Sequence, residues 1–174
     1  MSNSAKANKL DKAHFNTLSL ASTQLDNLKS LGFDTLTPVQ QASLPAILEG
    51  KDIIVQAKTG SGKTVAFALG LLNRLNVERY RVQALVMCPT RELAEQVAQE
   101  IRTVGRMIDN MKVLTLCGGT PMGPQIGSLA HGAHIIVGTP GRIMDHLGKR
   151  RLNLSEVNTL VLDEADRMLD MGFE

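Results

Sequence analysis

Asp52-Ile53-Ile54-Val55-Gln56-Ala57-Lys58-Thr59-Gly60-Ser61-Gly62-Lys63-Thr64 is an apolar run, then a glycine-bearing turn, then the start of a helical pattern. The phosphate-loop template is GxxxxGK[ST] between a strand and a helix, and this stretch departs from it once, with Ala57 in place of the first glycine. Each part has a mechanical task. Gly60 and Gly62 let the backbone of Ala57, Lys58, Thr59 and Ser61 curl so that successive N–H groups point into one anion cavity. The following helix adds the positive end of its dipole. Lys63 reaches the β- and γ-phosphates as a point charge, and the Thr64 hydroxyl suits Mg²⁺. The competing reading is a glycine-rich turn capping a helix beside an ordinary surface lysine. The flanking strand and helix favour nucleotide binding.

Four more runs share the strand's character: Gln83–Cys88, Lys112–Cys117, His134–Gly138 and Thr159–Asp163. They are continuously apolar rather than alternating, as expected of strands buried on both faces of a parallel sheet. Helical patterns lie between them, over Lys63–Leu75, Arg91–Met107, Pro121–Leu129 and Pro140–Leu147. The alternation predicts an α/β fold, a doubly wound and mainly parallel sheet with helices on both faces. Ligands of such sheets bind at the carboxyl ends of the strands.

The last strand ends in Asp163-Glu164-Ala165-Asp166, one hundred positions after Lys63. A carboxylate at a strand tip beside a phosphate loop holds Mg²⁺ through Asp163, while Glu164 orients and activates the attacking water. Taken alone, two acids at the start of a helix are ordinary dipole partners. Paired with the loop in one α/β pattern, they read as catalytic.

Composition narrows the rest. A chain of 174 residues with 43% hydrophobic content suits one domain with a sizeable core. The formal charge of +2 excludes a polycationic arm, so any nucleic-acid contact comes from a locally shaped surface. Five aromatic residues, Phe15, Phe33, Phe67, Tyr80 and Phe173, argue against base-stacking platforms. Cys88 and Cys117 read as buried free thiols in a reducing compartment. The pair His131 and His134 lacks neighbouring ligands, which disfavours zinc. The polar N-terminus carries no signal core, and glycines and prolines interrupt the long uncharged stretch from Val113 to Gly141. A cytoplasmic protein with no membrane contact is expected, with residues 1–12 a polar lead-in and 13–174 the domain.

Six ordered motifs make the chain resemble the first RecA-like domain of the DEAD-box RNA helicases over nearly its whole length. They are Ala57–Thr64 (AKTGSGKT), Pro89–Ala94 (PTRELA), Gly118-Gly119, Thr139–Arg142 (TPGR), Asp163–Asp166 (DEAD) with Arg167–Phe173 after it, and a Q-motif-like segment from Gly32 to Gln40. The Ala57 departure is normal in this family. The wording LVMCPTRELAEQV and LTLCGGTPMG is most similar to the bacterial DbpA group, which acts on large-subunit ribosomal RNA.

The resemblance implies ATP and Mg²⁺ as ligands, with Gln40 reading the adenine edge and Phe15 or Phe33 packing on the ring. Thr37-Pro38-Val39-Gln40 is also a capping box with proline at N1, and Thr37 can serve both purposes. The RNA side implied is Pro89-Thr90-Arg91, Gly118-Gly119 and Thr139-Pro140-Gly141-Arg142, all placed after strands, where hydroxyls, backbone N–H groups and arginines suit phosphate oxygens. The plainer readings are an N-cap at Thr139 and a simple turn at Gly118-Gly119. Asp166 is assigned to coupling between domains. Lys149-Arg150-Arg151 reads as a solvated turn.

Against the family pattern, the Ser-Ala-Thr strand and the second RecA-like domain with its arginine finger do not occur in the 174 residues. The expectation is therefore an incomplete domain, monomeric, that binds nucleotide and hydrolyses it negligibly by itself. A DNA-directed helicase and a nucleotide-dependent RNA clamp are the alternatives.

Overall fold

The computed structural model describes residues 13–173; the lead-in predicted for residues 1–12 lies outside them. A short 3-10 turn, Phe15–Thr17, leads to α1 (Ser22–Ser30), α2 (Pro38–Glu49) and α3 (Lys63–Asn73). Strands and helices then alternate as β1 (Ala84–Met87), α4 (Arg91–Val104), β2 (Val113–Leu116), α5 (Met122–Ala130), β3 (Ile135–Gly138), α6 (Pro140–Gly148), β4 (Thr159–Leu162) and α7 (Ala165–Asp170).

The ladders of the four-stranded sheet are parallel, in the order β2-β3-β1-β4, with Met87 level with Gly138 and Leu162, and Leu116 level with Gly138. The carboxyl ends of the four strands therefore open on one edge. Successive residues face opposite layers. Ile135 and Val137 pack with Val65, Leu69, Val97 and Ile101 from α3 and α4. Ile136 and Leu85 pack with Ile143 of α6 and with Leu152 on the other face. Each fully buried aliphatic contributes about 1.5–3 kcal/mol through removal from water.

Helix α4 shows why sequence dictates the layer. Ala94, Val97, Ala98, Ile101 and Val104 are buried at helical spacing and make one apolar stripe. Its last carbonyls are covered from α1: Asn27 Nδ2 donates to Val104 O at 2.7 Å and to Thr103 O at 3.3 Å. Asn27 Oδ1 in turn accepts from Arg106 Nε at 2.6 Å. Helix α1 is thereby held to the end of α4, its orphan acceptors satisfied.

Two predicted features differ. The apolar run Asp52–Ala57 forms no strand, and Ile54 is fully exposed. A strand exists through its ladder, and this run has no partner among the described residues. Strand β4 was expected to be buried on both faces, yet Leu160 and Leu162 are exposed while Val161 packs on the core. It is the sheet's outer strand on that side. Cys88 and Cys117 are buried free thiols, as read from the sequence. His134, half of the disfavoured zinc pair, joins backbone instead: Nδ1 accepts from Lys112 N and Nε2 donates to Val77 O, each at 3.0 Å.

Candidate nucleotide and RNA site

The phosphate loop curls between the unpaired run and α3. Gly60 and Gly62 take φ of 77° and 93°, in the region that favours glycine. Gly62 is constrained twice, because a Cβ there would lie 2.5 Å from Gln40 Nε2 and 3.1 Å from Thr37 Oγ1. Lys63, the first residue of α3, turns its ammonium back to donate to Ala57 O. The Ser61 hydroxyl is shielded from solvent and has no hydrogen-bond partner. An orphaned hydroxyl in a glycine-bearing turn at a helix start suits a phosphate oxygen. The loop and α2 border one groove of about 750 Å³, lined by Thr37, Val39, Ala42, Ala57, Gly60 and Ser61 among others.

Both readings of the Q-motif-like segment meet at Gln40. The capping box is formed: Thr37 N donates to Gln40 Oε1 at 2.9 Å and Gln40 N donates to Thr37 Oγ1 at 3.4 Å. Gln40 Nε2 also donates to Gly62 O at 3.2 Å. The cap of α2 is therefore tied directly to the phosphate loop, with Gln40 buried between them. Phe15 is buried and its ring lies 6.5 Å from that of Phe33, which is half-buried.

At the tip of β4, burial raises the pKa of Asp163, the Glu164 charge adds to the rise, and the Lys63 charge opposes it. A carboxylate that feels the loop lysine while losing water is suited to a divalent cation. Glu164 follows in the left-handed region at φ 52°, a strained turn for a non-glycine residue, and pairs with Arg167 at 3.3 Å. Asp166 is exposed on the first turn of α7. Cys88, beside Asp163, has its thiol pushed up to about 12, first by burial and then by that carboxylate.

Along the same edge, toward β2, stand the segments assigned to RNA. Pro89 and Pro140 are buried and act as structure. Arg91, Gly118, Gly119 and Gly141 are exposed. A Cβ on Gly119 would lie 3.8 Å from Arg91 Nη1, so the arginine and the glycine turn are neighbours. Arg91 also pairs with Glu95 at 2.8 Å. The Thr90 hydroxyl caps α4, accepting from Leu93 N at 3.3 Å. Thr139 precedes α6 without a side-chain cap bond, so its hydroxyl is not committed to the helix. Arg142 is the exception to the open arrangement. Its side chain is only 11% exposed, and it donates to Thr120 O from Nη1 at 3.0 Å and Nη2 at 3.1 Å.

Sequence reasoning missed Glu100, Gln125 and His146. Burial raises the Glu100 carboxyl's pKa, a hydrogen bond with Thr64 lowers it, and the Asp163 charge adds to the rise. Glu100 sits beside the buried stripe of α4, three residues after Val97 and one before Ile101, and an acid at such a position is the signal that could have found it.

The family model described as DEAD/DEAH box helicase matches residues 37–174. The ATP-dependent RNA helicase DbpA of Escherichia coli is 62% identical over 160 residues, covering 91% of this chain and 35% of that protein. The DEAD-box ATP-dependent RNA helicase CshA of Bacillus cereus is 47% identical over 159 residues, covering 91% of this chain and 30% of that protein. The chain thus spans about a third of the length of these curated relatives. Among solved structures, the crystal structure of a DEAD box protein from the hyperthermophile Methanococcus jannaschii superposes with a TM-score of 0.87 at 43% identity. It covers 92% of this chain and 44% of that one.

Proposed function

The chain belongs to the DEAD/DEAH box helicase family, and on that premise we propose that it is the ATP-binding half of an ATP-dependent RNA helicase. The observation that carries this reading is that the charge of Lys63, in the phosphate loop, opposes the rise in the pKa of Asp163 at the end of β4. Residues one hundred positions apart thereby form one anion-and-cation site. In it, the loop N–H groups, the Ser61 hydroxyl and Lys63 hold the triphosphate. Thr64 and Asp163 hold Mg²⁺, which supplies charge neutralisation to the phosphates when bound. Glu164, on its strained turn, orients the attacking water and accepts its proton. Gln40 and one of Phe15 and Phe33 recognise adenine.

RNA runs across Thr90, Arg91, Gly118, Gly119, Thr139 and Gly141, met through its phosphates. Asp166 faces a second RecA-like domain and couples it to this one. That second domain supplies the arginine finger, and comparable NTPases lose about three to five orders of magnitude in kcat without one. The chain by itself, a monomer, therefore binds nucleotide with negligible turnover. The wording of its motifs and the 62% identity with DbpA support ribosomal RNA in large-subunit maturation as substrate, and the cytoplasm as location.

The test is phosphate release. The longest form of the protein containing this chain is expected to hydrolyse ATP faster with RNA than with DNA of matched sequence, and to lose turnover in Glu164→Gln. Equal stimulation by DNA favours a DNA-directed helicase, and retained function in Glu164→Gln favours a clamp. RNA-stimulated release by the 174-residue chain alone would refute the requirement for a second domain.

A further inference from the structure

We propose that Gln125 and His146 are positioning residues that lock Arg142 and the Gly118-Gly119 turn into one RNA-facing unit. The inference rests on the RNA reading of that edge. Gln125 lies on α5, in the glycine- and proline-rich stretch to which no motif assigned a role. Its Oε1 accepts from Arg142 Nη1 at 3.0 Å and from His146 Nε2 at 2.8 Å. Its Nε2 donates to Cys117 O at 3.1 Å and to Thr120 Oγ1 at 2.9 Å.

A primary amide has two lone pairs on oxygen and two N–H groups, and here all four are used. Rotating the amide by half a turn would set its donors against Arg142 and His146 and its oxygen against a carbonyl. The orientation is therefore fixed by its partners. Those partners come from two places outside α5: the end of β2 and the turn after it (Cys117, Thr120), and α6 (Arg142, His146). Arg142 closes the ring by donating to Thr120 O.

His146 is fully buried, and burial followed by the Arg142 charge lowers its pKa. Nε2 faces the Gln125 oxygen, which can only accept, so it is the donating nitrogen, and this donation holds that oxygen toward Arg142. Nothing in the ring is a phosphate-loop residue, so its loss leaves the nucleotide site intact. What it sets is the angle at which the glycine turn and the first turn of α6 meet a phosphate chain.

Gln125→Met keeps volume and removes all four bonds. The test measures anisotropy of a labelled single-stranded oligouridylate, affinity for MgADP, thermal midpoint, and solvent exchange of the Arg142 guanidinium protons by NMR. Expected are an RNA affinity lower by about ten-fold, an unchanged MgADP affinity and faster guanidinium exchange. His146→Leu should reproduce the RNA loss, whereas His146→Gln, which can still donate to Gln125, should restore most of it. RNA affinity equal to wild type in Gln125→Met, or a fall in RNA and MgADP affinity together with the thermal midpoint, would overturn the proposal. If the wild-type chain binds no RNA, the reading of the edge fails instead. The guanidinium exchange then still decides whether Gln125 holds Arg142, and unchanged exchange refutes that.

Discussion

Ile54 and Ile136 belong to runs that look alike on paper, Asp52–Ala57 and His134–Gly138, yet the first is fully exposed and the second fully buried. Both runs are β-branched and apolar, and each leads to a turn that reads as functional. Only the second has neighbours on both sides, β1 and β2, and a layer of helices on each face. The phosphate loop is consequently held by means other than a ladder: the Gln40 bond to Gly62, the Lys63 bond to Ala57, and the burial of α3. The turns proposed to face RNA stand on paired strands. One half of the site is fixed by the sheet and the other by side chains.

That contrast is easiest to break by mutation. Ile136→Ala should cost about 2–5 kcal/mol in denaturant unfolding, because it leaves a cavity in a close-packed layer. Ile54→Ala should stay within about 0.5 kcal/mol, as surface changes do. Equal costs would mean that the first run is held as firmly as the second. Hydrogen exchange should agree, with the amides of Val86 and Val137 among the slowest and those of Ile53 to Val55 among the fastest.

Next in size is Gly62→Ala. The added Cβ meets Gln40 Nε2 and must adopt a positive φ, a strain of about 1–3 kcal/mol. Affinity for MgATP should fall by about ten- to a hundred-fold, and the unfolding free energy should fall by about the same strain. A variant that binds normally would show that Gln40 does not shape the loop. Gln40→Ala should lower stability by about 1 kcal/mol through loss of the cap. It should weaken nucleotide binding as well, and calorimetry separates the two effects. A loss of stability with unchanged nucleotide affinity would leave Gln40 as a cap alone.

The smallest effect is on pH dependence and lies on the sheet side. Burial, more than anything else, lowers the pKa of His134, whose backbone bond to Val77 works against that lowering. The unfolded chain therefore takes up a proton that the folded one resists. Stability from this group is fully present above the ordinary histidine pKa of about 6.5 and fades as pH falls through that value toward the lower folded one. Urea midpoints of wild type should drop between neutral and mildly acidic pH more than those of His134→Asn. Parallel profiles would remove His134 as the cause.

What the sequence made legible follows the same division. Local chemistry was readable: the glycines of the phosphate loop, the capping box at Thr37, and the apolar stripe of α4. Parallel pairing of β1 to β4 followed from continuous Val, Ile and Leu runs, because only doubly covered strands tolerate them. The missing ladder at Asp52–Ala57 was not readable, since pairing is a property of two segments and the run itself is a good strand. The exposed face of β4 escaped for the same reason. Gln125, His146 and Glu100 carry no motif spacing at all. Their roles arise where α5, α6 and α4 approach a loop from elsewhere in the chain, and no period in the sequence marks that approach. Arg142 was visible as a cation near a strand end, but not its commitment to the Thr120 carbonyl.

Lys63 and Asp163 are proposed to hold one magnesium nucleotide between them. Calorimetric titration of MgATP into the 174-residue chain tests it directly. Lys63→Ala should bind at least ten-fold more weakly than wild type, with the same melting temperature. Equal affinities for the two proteins would contradict the assignment of the phosphate loop and, with it, a nucleotide site shared by Lys63 and Asp163.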